Sequence, residues 1–132
     1  MIFVDTSFWV ALRNDVDRHH GEAVALLGNA GTHHLVTSNH VRGETWTFLR
    51  RKAGHHGAVS CLDTMHRTPR LQIVHIPEAM EDAAIAWLRR HDERRYSFVD
   101  ATSFTVMRSL KIQDALAFDG DFSAAGFREL RV

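Results

Sequence analysis

Short apolar runs alternate along this chain with longer segments in which apolar residues recur every three or four positions. Residues 1–4 form an apolar run that stops at Asp5, and residues 115–118 form another that stops at Asp119. Residues 35–37 and 71–76 are further runs of the same kind, and residues 128–132 close the chain. Short runs of this composition bounded by polar residues predict buried strands. Helical spacing is predicted from Thr6 to about Asn14, with Phe8, Trp9 and Leu12 apolar, and over residues 22–28. Ser38-Asn39 offers cap chemistry for a helix running to about Ala53 and stopped by Gly54. Residues 56–68 and 97–110 predict two more helices. Pro77 sits where the first helical position of another would be, with Met80, Ala84, Trp87 and Leu88 following. Residues 89–95 read as a charged turn, and residues 124–126 as a short one. Strands alternating with helices predict an α/β, three-layer sandwich: a central parallel sheet of about five strands flanked by helices.

The length of 132 residues fits one domain spanning 1–132, and the 45% apolar content is enough for a core. Sixteen acidic and sixteen basic residues cancel, so no global field draws the chain to nucleic acid or membrane. Any such binding has to come from a local patch. Fourteen of the basic residues are Arg, a good bidentate phosphate ligand, although an Arg-, Ala- and His-rich composition also fits a GC-rich coding sequence. The single cysteine, Cys61, excludes an internal disulfide and suits a reducing cytosol, so a cytoplasmic location is expected. Residues 1–4 are too short for a signal peptide and lack a basic lead-in, so none is expected, and no run approaches the length of a membrane span.

In open parallel sheets the ligand site lies beyond the carboxyl ends of the strands. Asp5 and Asp119 are both expected there, and two such carboxylates repel unless a cation lies between them. Two more acids fall on or beside core-facing stripes. Glu44 lies between Val41 and Phe48 on one predicted helix, and Asp100 lines up with Phe104 and Met107 on another. A buried, unpaired carboxylate is costly, and a cation removes the cost. Asp5, Glu44, Asp100 and Asp119 together make an oxygen-rich site of the kind Mg²⁺ or Mn²⁺ accepts, some of them through water. Each residue also has a local reading. Asp5 suits a helix cap, and Ser97-Phe98-Val99-Asp100 fits a capping box. Asp119-Gly120 is a turn signal, and Glu44 is within reach of Arg42 or Arg51. Asp121 is spaced to join the cluster or simply to solvate a turn.

The segments IFVDTSFWVAL, TSNHVRGETWTFL, YSFVDATSF and AFDGDFSAAGF carry these acids in order, and with the chain length they resemble the PIN domain, in particular the VapC toxins of bacterial toxin–antitoxin pairs. Thr6 matches a hydroxyl that the family commonly uses near the metal. Ala117 departs from the pattern, standing where many relatives have Thr or Ser. The resemblance implies an Mg²⁺- or Mn²⁺-dependent endoribonuclease that cuts structured RNA, a tRNA or rRNA loop. It also implies a homodimer and a VapB-like antitoxin that blocks the site. Asp5 and Asp100 are expected to hold the metal, with Glu44 and Asp119 supporting or acting through water and with Thr6 and Asp121 as further candidates. Phe8, Trp9, Trp46 and Phe48 are candidates for the antitoxin contact. Arg13, Arg42, Arg50, Arg51, Lys52, Arg94 and Arg95 could form a phosphate-holding rim, or could be a solvated face.

The adjacent pairs His19-His20, His33-His34 and His55-His56 do not share one face of a helix or strand, and no HExxH or CxxC spacing appears, so zinc is not expected. FDGDF resembles the opening of haloacid-dehalogenase-type phosphatases, but too little chain follows it. A receiver domain would need an acidic pair after the first strand and a late Lys, which are absent. The alternatives that remain are a PIN nuclease acting in RNA processing and a degenerate metal-binding partner domain.

Overall fold

The computed structural model describes all 132 residues. Five strands form one parallel sheet in the order β3-β2-β1-β4-β5: β1 (Ile2–Val4), β2 (Leu35–Ser38), β3 (Leu71–Val74), β4 (Asp114–Leu116) and β5 (Arg128–Glu129). Seven helices connect them: α1 (Thr6–Arg13), α2 (His20–Asn29), α3 (Asn39–Lys52), α4 (Gly54–Arg67), α5 (Glu78–Arg90), α6 (Phe98–Leu110) and α7 (Asp121–Ala124). The chain moves outward from β1 to β3, then crosses back to β4. Right-handed crossovers therefore put α1–α4 on one face and α5–α7 on the other. The expected α/β sandwich is what the sheet and helices form.

The strands are short; β1 and β2 are buried along their whole length because both faces of the sheet are covered there, whereas β3 and β5 at its edges are partly exposed. Phe3 in β1 stacks on Phe122, which meets Phe104 of α6 edge to face with ring centres 5.0 Å apart, so one aromatic group ties the central strand to two helices. Helix starts follow local chemistry. Asp5 caps α1, Ser38 caps α3 by accepting from the Val41 N–H at 3.1 Å, and Ser97 with Asp100 makes a full capping box at α6.

Several boundaries differ from expectation, and at the ends of β4 and β3 a side chain captures a backbone group. β4 ends at Leu116 rather than 118, since the Phe118 N–H donates to Ser7 Oγ at 3.0 Å and the Ala117 carbonyl accepts from Arg131. β3 ends at Val74 because the Ile76 N–H donates to Asn39 Oδ1. Pro77 is the N-cap of α5, not its first helical residue. Arg89 and Arg90 belong to the last turn of α5, where cations suit the helix C-terminus, so the charged turn starts later than expected. The expected turn near Ala124 is preceded by a one-turn helix, α7, and the last strand covers only Arg128–Glu129.

Candidate functional site

The topological switch point lies between β1 and β4, where the chain leaves neighbouring strands in opposite directions. Asp5 is the first residue beyond β1 and Asp119 lies on the loop after β4. Asp5 is buried, and its Oδ2 accepts from the Ser7 N–H at 3.1 Å and from Ser7 Oγ at 2.7 Å. Asp100 enters from the first turn of α6, with its Oδ2 accepting from the Ser97 N–H at 2.9 Å. Asp119 Oδ1 accepts from the Asp121 N–H at 3.1 Å. Asp121 opens α7 and is paired with Arg94 at 2.9 Å. Carboxylate oxygens of Asp100, Asp119 and Asp121 lie within 4.8 Å of one another. Asp5 stands outside that group but close enough to be perturbed by Asp119 and Asp100. Glu44, half-buried on α3, lines the same cleft of about 430 Å³, and it pairs with neither Arg42 nor Arg51. All four acids singled out in the sequence therefore face one cleft, and Asp121 joins them.

The local readings of Asp5 and Asp100 are also correct. Asp5 caps a helix and Asp100 completes a capping box. Capping uses only part of each carboxylate's four lone-pair sites, so both acids still have lone pairs to offer elsewhere. The electrostatic strain is visible in their proton affinities. Burial pushes the Asp5 carboxyl well above the usual carboxylate range, and Asp119 and Asp100 add repulsion that the Ser7 hydrogen bonds only partly offset. Burial likewise lifts Asp100 to about 7, against hydrogen bonds from Ser97, with Asp119 and Asp121 adding to the rise. Asp119 is exposed as a residue, yet its carboxyl faces the cleft; loss of water there raises its pKa, offset by the Asp121 N–H and reinforced by Asp121 and Glu129.

The residues present fit a hard divalent cation. The convergent donors are carboxylate oxygens, the preferred ligands of such ions. Thr6 Oγ1 is a second indication: it lines the cleft, is buried, and has no hydrogen-bond partner within the protein. A buried hydroxyl left without a partner costs about 1–3 kcal/mol, and a hydrated cation next to it would remove that cost.

The expected cationic rim is only partly present. Lys52 and Arg95 line the cleft, while Arg94 pairs with Asp121 and Arg13 donates to Ser60 Oγ on α4. Arg42, Arg50 and Arg51 do not line it. Phe8 and Trp9 are in the core and cannot present rings to a partner, Trp46 is half-buried, and Phe48 is 41% exposed at the cleft. Among the polar lining residues, the sequence reading did not place Ser7 or Asp17, and it treated His19 only as one of a histidine pair. The signal for Ser7 was its place two residues after a cap aspartate. Asp17 and His19 carried none, because only the fold of residues 14–20 turns them toward the acids.

Comparison with known proteins agrees with this geometry. The PIN domain family profile matches residues 2–128. The 23S rRNA-specific endonuclease VapC20 of Mycobacterium tuberculosis, from strain CDC 1551 / Oshkosh and from strain ATCC 25618 / H37Rv, is 55% identical over 131 residues, covering 99% of this chain and 98% of that protein. A crystal structure of Mycobacterium tuberculosis VapC20, described as a sarcin–ricin loop cleaving toxin, superposes with a TM-score of 0.95 at 52% identity, covering all of both chains. With its strand order, its acids at the switch point and these matches, the chain belongs to the PIN domain family, among the VapC proteins.

Proposed function

We propose that this chain is a metal-dependent endoribonuclease toxin that hydrolyses a phosphodiester in a structured RNA, the sarcin–ricin loop of 23S rRNA being the candidate substrate. The observation that carries the reading is the gathering of Asp5, Asp100, Asp119 and Asp121 in one cleft beyond the carboxyl ends of β1 and β4, in a chain 55% identical to a 23S rRNA-specific endonuclease over nearly its whole length. Asp100, Asp119 and Asp121 would hold Mg²⁺ or Mn²⁺, with Asp5 and Glu44 orienting its water shell and Thr6 donating to it. When bound, the ion supplies charge neutralisation at the phosphate and a more acidic water. Ser7 fixes the Asp5 carboxylate by two hydrogen bonds. Lys52 and Arg95 place positive charge at the cleft, where phosphates approach a negative centre. Exposed Phe48 offers an apolar contact for a VapB-like antitoxin laid across the cleft.

The test is cleavage of a sarcin–ricin loop hairpin with Mn²⁺ or Mg²⁺, with and without chelator. Specific cleavage that stops on chelation and falls on the order of 100-fold or more in Asp5→Asn and Asp100→Asn is expected. Cleavage indifferent to chelator and to both substitutions overturns the reading.

A further inference from the structure

The cleft contains one aromatic surface that the acidic centre does not use. His19 lies on the segment between α1 and α2, and its imidazole stacks on Phe118 with ring centres 4.5 Å apart and planes 2° from parallel. Phe118 is itself held firmly. It stacks against Phe8, the Arg131 guanidinium lies 5.1 Å from its ring centre, and its N–H donates to Ser7 Oγ at 3.0 Å. That serine donates to Asp5 at 2.7 Å, so two hydrogen bonds join the Phe118 backbone to the acidic centre. The imidazole is fixed at its edges as well. Arg18 Nε donates to His19 Nε2 at 3.0 Å and Glu22 lies 4.0 Å from Nδ1, while the backbone N–H of His19 donates to Asp17 Oδ1 at 2.8 Å. The side chain is 29% exposed and lines the cleft; with one face on Phe118, the opposite face is what it shows to solvent.

We propose that His19, backed by Phe118, is a stacking subsite for one unpaired nucleobase next to the scissile phosphate. This rests on the reading of the cleft as a ribonuclease site. Single-stranded loops are recognised mainly by splaying bases onto flat rings, and a ring already held parallel to a second ring loses little freedom on accepting a third layer. A neutral base is also the part of RNA that can approach this cleft without meeting its carboxylates as a like charge. The subsite selects for a base that can leave its stack, and so for a loop rather than a paired stem.

The test compares wild type, His19→Ala and His19→Phe on the sarcin–ricin loop hairpin with Mn²⁺, reading KM and kcat separately. Binding is read in parallel with 2-aminopurine placed in turn at the loop positions flanking the cut. Stacking predicts a KM raised roughly 5- to 100-fold in His19→Ala with kcat held within about threefold, and near-wild-type KM in His19→Phe. It also predicts that one 2-aminopurine position is quenched by wild type and His19→Phe but not by His19→Ala. An unchanged KM in His19→Ala, or a loss of kcat that His19→Phe does not restore, overturns the subsite while leaving the nuclease reading intact. A wild-type chain that cleaves no RNA with any divalent metal removes both.

Discussion

Asp100 concentrates the tension in this protein. It serves its helix as the second half of a capping box, yet burial and two neighbouring acids hold its carboxyl near 7. A carboxyl whose folded pKa is raised stabilises the fold below its unfolded value, near 4, and that contribution is lost as pH rises through about 7. The metal-free protein should therefore lose on the order of 2–4 kcal/mol between about pH 4 and pH 8 through this group. Thermal unfolding in chelator, compared between wild type and Asp100→Asn, checks this: the gap between the two proteins should change sign in favour of the variant as pH rises. Adding Mn²⁺ at pH 8 should restore wild type and not Asp100→Asn. Arg94 gives a second residue-level expectation. Its guanidinium pairs with Asp121 and donates to the Asp119 carbonyl, so it lends positive charge to the cluster. Arg94→Ala should tighten Mn²⁺ binding by a few-fold in calorimetric titration, since the carboxylates then have one fewer competing cation. A weaker affinity would mean that Arg94 mainly orients Asp121.

At the scale of elements, the site depends on how strands end and helices begin. β1 runs straight into the cap of α1, and the Ser97 hydroxyl that receives the Asp100 N–H also sets where α6 starts. Ser97→Ala should cost about 1 kcal/mol of stability and loosen Asp100, lowering metal affinity more than the stability loss alone would; urea unfolding and Mn²⁺ titration of one variant separate the two effects. The loop carrying Asp119 turns through Gly120 at φ +81°, a left-handed conformation, and a side chain there would meet the Arg94 guanidinium at 3.4 Å. Gly120→Ala should destabilise by roughly 1 kcal/mol and shift Asp121 relative to Asp119, read as weaker Mn²⁺ binding. Helix and strand identities were readable from apolar spacing, because burial against a covered sheet demands that spacing. Their ends were not, since Asn39, Ser7 and Arg131 reach across from distant segments to take backbone groups that would otherwise extend β3 and β4.

For the molecule as a whole, equal numbers of acids and bases mean that attraction to RNA is local. Lys52 and Arg95 are the basic residues lining the cleft. RNA binding should therefore depend only weakly on salt, with a log–log slope on the order of −1 to −2 at roughly 0.7 per phosphate contact. Measuring the affinity of the hairpin between about 50 and 300 mM salt checks this, and a steep slope would point to a wider cationic surface. Selectivity then falls to shape and stacking in the cleft.

The order of the chain dictated the α/β class, the acids at 5, 44, 100 and 119, and the family resemblance, because strand burial and carboxylate desolvation are local in pattern even when their partners are far away. Which oxygens meet was a different matter. That Asp121 joins Asp100 and Asp119 while Asp5 stands beside them follows from a tight turn at Gly120 and from an arginine that pairs across 27 positions. His19 became a cleft residue only when a loop with no periodic pattern folded its ring onto Phe118. Pairwise geometry between segments distant in sequence is set by the packing of the whole sheet and its helices, and no spacing along the chain encodes it.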